Sequence, residues 1–174
     1  MSLSHSSLTT SRSVAAALLP AMAAVLAGFL VIGAALPVLP LHVHQDLGFR
    51  TFVVGLVAGA PFRASVVSRV LAGSHADTNG GKRAVLLGLV PAVVSGLLYL
   101  MSQAVESSPL LSVSILLAGR AVLGGAESFI ITGGVSWGLA LVEPGNDGKV
   151  IAWVGTAMFA ALALGGPLGA ILYS

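Results

Sequence analysis

An all-α, polytopic membrane bundle of about five spanning helices is what this sequence predicts, on three observations. Of its 174 residues 56% are hydrophobic and only 8% charged, whereas a soluble domain carries about a quarter charged residues. The 8 basic and 6 acidic side chains cannot furnish a polar shell for a soluble fold of this size. Charge-free apolar runs recur at lengths able to cross about 30 Å of hydrocarbon, which takes about 20 helical residues. Small-residue steps, GLVAG at 55–59, GVSWG at 134–138 and GGPLG at 165–169, let helix backbones approach one another in lipid.

The same composition excludes other classes. A net charge of +2 with no basic run longer than Lys82-Arg83 leaves no nucleic-acid footprint. With no cysteine the chain has no disulfide framework, thiolate nucleophile or zinc-thiolate site. No P-loop, dinucleotide fingerprint or Ser/His/Asp arrangement occurs, so neither an enzyme nor a cofactor or metal protein is expected.

Residues 1–13, MSLSHSSLTTSRS, have almost nothing to bury and are expected as a disordered cytoplasmic tail ahead of a bundle over 14–174. The first helix, 14–41, is too long for a signal-peptide core of about 7–15 residues and reads as a retained span. An outer connection over 42–50 carries His42 and His44. Two such histidines could ligate a metal, but only Asp46 stands near them, and they read as solvated loop residues. The second helix, 51–73, contains Arg63 and Arg69, and the fourth, 110–142, contains Arg120 and Glu127, so each needs internal partners. Between them lies an uninterrupted third helix, 84–105, with the turn VESSP after it; a fifth helix covers 149–173. Tyr99 and Trp137 fall toward helix ends as interfacial anchors.

Basic residues in short loops stay on the cytoplasmic side. With the N-terminus inside, Arg12, Lys82, Arg83 and Lys149 fall inside and only Arg50 outside. Arg63 and Arg120 then lie 12 and 10 residues inward of positions 51 and 110, about 18 and 15 Å deep. Two like charges at that depth repel unless water or an anion separates them, so they are expected to line a hydrated cavity. Arg69 and Glu127, 18 and 17 residues inward, are expected at matching depth as an ion pair, the alternative being that each reaches the headgroups independently.

Three stretches carry a family resemblance. GSHADTNGGKR (73–83) resembles the signature loop between helices 2 and 3 of the major facilitator superfamily through Gly73, Asp77, Gly80, Lys82 and Arg83, with Thr78 where that family usually has a basic residue. GRAVLGGAES (119–128) is similar to the family's Arg-x-x-x-Gly pattern through Arg120 and Gly124, and GTAMFAALALGGPLG (155–169) to its antiporter motif through Gly155, Gly165, Gly166, Pro167 and Gly169. The text around LPLHVHQDLGF and WGLALV looks like a bacterial branch often labelled arabinose-efflux-like permeases.

The resemblance implies a cytoplasmic gating loop over 73–83, a proton-coupling role for Arg120, with a structural arginine bonded to carbonyls as the alternative, and export from the antiporter motif. Facilitators have two six-helix halves, so it also implies an N-terminal half whose C-terminal half lies outside these 174 residues. The expected function is proton-coupled efflux of a small molecule through the bacterial inner membrane, with protons, lipid and an unnamed substrate as partners. The alternative is a non-transporting, truncated membrane remnant of such a transporter.

Overall fold

The computed structural model describes the backbone of residues 4–173 and the side-chain surroundings of residues 14–172. Five helices follow one another: α1 (Ser4–Leu41), α2 (Thr51–Asn79), α3 (Gly81–Ala104), α4 (Pro109–Ala140) and α5 (Asp147–Tyr173), with a π-turn (His42–Asp46) continuing α1. No strand occurs among the described residues, and all five helices are long and apolar enough to span a bilayer.

Helix ends differ from expectation in two places. Residues 1–3 of the expected tail lie outside the described residues, and residues 4–13 extend α1, since no Gly or Pro between Ser4 and Ser13 interrupts helical hydrogen bonding. The expected loop over 73–83 shrinks to a single break. Gly73 and Asp77 are ordinary α2 residues, and the helix stops only where Gly80 turns to φ +88°, a conformation a Cβ disfavours. Its N–H still bonds the Ala76 carbonyl at 3.0 Å, and α3 starts at the next residue. The last turns of α2 contain no breaker, and Thr78 closes its hydroxyl onto the Ser74 carbonyl at 2.8 Å.

α4 is the axis of the bundle. Its broadest seams are with α3 and α2, while α1 pairs mainly with α5. One apolar cluster joins Leu18, Val25 and Phe29 of α1, Leu123 and Ile130 of α4, and Val150 and Val154 of α5. A second, nearer the connection between α1 and α2, joins Leu39 and Val43 to Val57, Val113 and Leu116. Two of the three small-residue steps are seams: Gly134 and Gly138 face Val25, Leu18 and Val150, and Gly165 and Gly169 lie on the α1 backbone at Gly33 and Ala34. Gly55 and Gly59 face open space, because α2 presents Val57, Pro61 and Ser65, on the opposite side of the helix, to α4. Outward, α3 exposes Leu86, Leu87, Val90, Val93, Val94 and Leu97, an apolar surface suited to acyl chains.

Candidate functional site

Pro61 lies inside α2 and has no N–H to return to the Val57 carbonyl four residues back. In lipid a backbone acceptor left without a donor costs several kcal/mol. α4 supplies the donor: Arg120 Nε–H donates to Val57 O at 3.2 Å, and Nη2 donates to Ala58 O at 3.4 Å. One turn along, Gly124 rests so closely on Pro61 that a side chain would overlap its carbonyl. A further turn along, Ser128 Oγ donates to Ser65 O at 3.0 Å, and the two hydroxyls stand 3.1 Å apart. The Arg-x-x-x-Gly pattern is therefore a fitting for a proline helix: the arginine replaces the missing amide and the glycine admits the proline backbone.

Val57–Arg120, Pro61–Gly124 and Ser65–Ser128 all join residues 63 apart, so α2 and α4 run parallel in fixed register. The serine pair is the weakest link in this ladder. Ser128→Ala is expected to cost only about 0.6 kcal/mol, the average for a hydrogen bond between membrane helices, seen as a small shift in the unfolding midpoint in lipid bicelles.

Arg120 is 4% exposed, and its Nη1 is buried with no hydrogen-bond partner among the described residues. It borders a cavity of about 150 Å³ enclosed by α1, α2, α4 and α5, in which Arg120 and Glu127 are the only polar side chains among otherwise apolar walls such as Phe29, Phe62 and Leu162. At about 30 Å³ per water the space admits a few molecules.

The two expected charge arrangements are not formed as drawn. Arg63 does not line the cavity; it sits two residues past Pro61, about 200° around the helix from the seam, and is exposed. Among the described residues no ion pair joins Arg69 to Glu127. The reason is register. Treating 51 and 110 as level assumes an offset of 59 residues, whereas the seam has 63, a slip of one turn or about 6 Å. Glu127 is thus level with Ala64, about 7.5 Å short of Arg69 along the axis.

The other singled-out residues divide. Lys82 stands 5.7 Å over the Trp137 ring, and Gly81 packs on the α4 backbone at Gly133 and Trp137, which ties the α2–α3 turn to the C-terminal end of α4. Arg83 and Asp77 are exposed. Within the antiporter-type motif Gly165 and Gly169 pack on α1, while Gly155 and Gly166 face open space and Pro167 is exposed.

Sequence reasoning missed His42. It is 3% exposed in the π-turn, with Nδ1–H donating to Asp46 Oδ2 at 2.8 Å and lying 3.9 Å from Glu106 Oε1 in the α3–α4 turn. His44 instead donates Nδ1–H to the Phe49 carbonyl at 3.0 Å. The usable signal was the absence of a breaker after Leu41: the helix winds on through the two histidines, and one of them turns inward.

The Major Facilitator Superfamily profile matches residues 11–174. An uncharacterised MFS-type transporter of Salmonella typhimurium is 43% identical over 152 residues, which is 87% of this chain and 39% of that protein. The uncharacterised MFS-type transporter YhhS of Escherichia coli K12 is 41% identical over 147 residues, 84% of this chain and 36% of that protein. The chain therefore spans under two-fifths of the length of these relatives. No solved structure gives a significant match. A parallel seam built on Arg-x-x-x-Gly, five membrane-spanning helices and a profile match over nearly the whole sequence agree: the chain belongs to the Major Facilitator Superfamily of membrane transporters.

Proposed function

We propose that the chain forms the N-terminal half of a proton-coupled exporter of a small molecule in the bacterial inner membrane, with its N-terminus in the cytoplasm. The observation that carries this reading is the cavity shared by Arg120 and Glu127, in which a cation with one nitrogen unpaired among the described residues and a carboxylate line the same space inside apolar walls. Glu127 is the group that takes up and gives back the proton, and Arg120 is the fixed charge that holds the carboxylate when the proton leaves. The tied α2–α3 turn gates the cytoplasmic end, and the packing face of Gly165 and Gly169 lets α5 pivot on α1.

Infrared difference spectroscopy on the purified chain in lipid, between acid and alkaline buffer, tests the proton site. A protonated-carboxyl band that appears on acidification and disappears in Glu127→Gln is expected; a band unchanged by that substitution overturns the assignment. In liposomes under a proton gradient the 174-residue chain alone is expected to carry no substrate-dependent proton flux, because two halves normally form the path between them. A flux abolished by Arg120→Ala would overturn that expectation.

A further inference from the structure

We propose that the α2–α3 turn holds the phosphate of an anionic phospholipid. A cavity of about 380 Å³ opens there, lined by His75 and Asn79 on one face of the last turns of α2, Arg83 in the first turn of α3, and Leu86, Leu87 and Val90 below them. Its polar rim carries donors. Arg83, unlike Lys82 over Trp137, has no hydrogen bond or ion pair among the described residues. Asn79 Nδ2 donates to His75 Nδ1 at 3.3 Å, which leaves the ring proton of a neutral His75 on Nε2, and that atom is buried without a partner. The first amides of α3 start beside this rim, with no acidic residue in the first turn and no side-chain cap. Asp77, the nearby carboxylate, is two residues from both His75 and Asn79, on the opposite face of α2, and does not line the cavity.

A fixed positive charge with no carboxylate on the lining calls for an anionic oxygen ligand. The floor continues without interruption into the exposed apolar face of α3 through Val93, Val94 and Leu97. A ligand that fits both parts has a phosphate at one end and an acyl chain at the other. The lining carries no carboxylate to pair with a quaternary ammonium, so a phospholipid with net negative charge is preferred over a zwitterionic one.

Native mass spectrometry of the detergent-solubilised 174-residue chain tests this with phosphatidylglycerol and phosphatidylcholine of identical acyl chains. The chain is expected to retain phosphatidylglycerol about fivefold better, the effect of one basic residue at a membrane surface. Arg83→Gln should bring the two lipids to parity. Lys82→Gln, whose ammonium is held by Trp137, should leave the preference standing. Val90→Trp, which fills the floor without changing charge, should weaken retention of both lipids. Equal retention by the unsubstituted chain, or a preference that survives Arg83→Gln, overturns the proposal. Displacement of phosphatidylglycerol by millimolar inorganic phosphate would make this a site for free anions and overturn the lipid assignment.

Discussion

Gly124→Leu is expected to destabilise the bundle by at least about 3 kcal/mol, enough to remove most folded protein from the membrane, because an isobutyl group would have to occupy the Pro61 backbone. Backbone cannot yield as a side-chain tip can. α2 would have to move away from α4, and in doing so it would withdraw the Val57 carbonyl from Arg120 and Ser65 from Ser128. The neighbouring glycine is the control, since a Cβ at Gly125 meets nothing within 4 Å. Gly125→Leu is therefore expected to leave the folded amount nearly unchanged. Size-exclusion profiles and unfolding midpoints of the two variants in the same detergent check the contrast, and equal damage from both would show that added bulk anywhere on this turn of α4, not the Pro61 seam, sets the cost.

The second large effect concerns Arg120. Arg120→Leu removes the donors to the Val57 and Ala58 carbonyls and is expected to cost about 3 kcal/mol, from two hydrogen bonds to a charged donor. If the arginine stands in for the amide that Pro61 lacks, its worth depends on that proline. In a Pro61→Ala background the residue at 61 regains an N–H for the Val57 carbonyl, and Arg120→Leu should then cost about 1 kcal/mol less. A double-mutant cycle on unfolding free energies reads this coupling directly. Strictly additive costs would mean that Arg120 acts on something other than the freed carbonyl.

The lengths of the apolar runs located all five helices, since hydrocarbon thickness leaves little choice once charges are sparse. The connections at 42–50 and 105–109 were visible as polar interruptions, and the Arg120-x-x-x-Gly124 pattern marked the seam. What escaped was whatever depends on a second helix. Gly73 looked like the start of a loop, yet a glycine ends a helix only where the backbone must reach positive φ, and here that is Gly80. The faces of Arg63 and Arg69 followed from a register that Pro61 and Gly124 determine together, four residues away from the one that equal helix starts suggest. His42 read as solvated because its burial depends on the α3–α4 turn at Glu106, which residues next to it in sequence do not reveal.

The constant separation of 63 residues also bears on how the chain is made. Synthesis at about 5–20 residues per second means that Arg120 leaves the ribosome about 3–13 s after Val57. For that interval α2 has left translation with a carbonyl its own helix cannot satisfy, and the donor it needs does not yet exist. Until α4 is made, the Val57 carbonyl has to find its donor elsewhere, in water or in another polar group, and the arrival of Arg120 replaces that temporary partner.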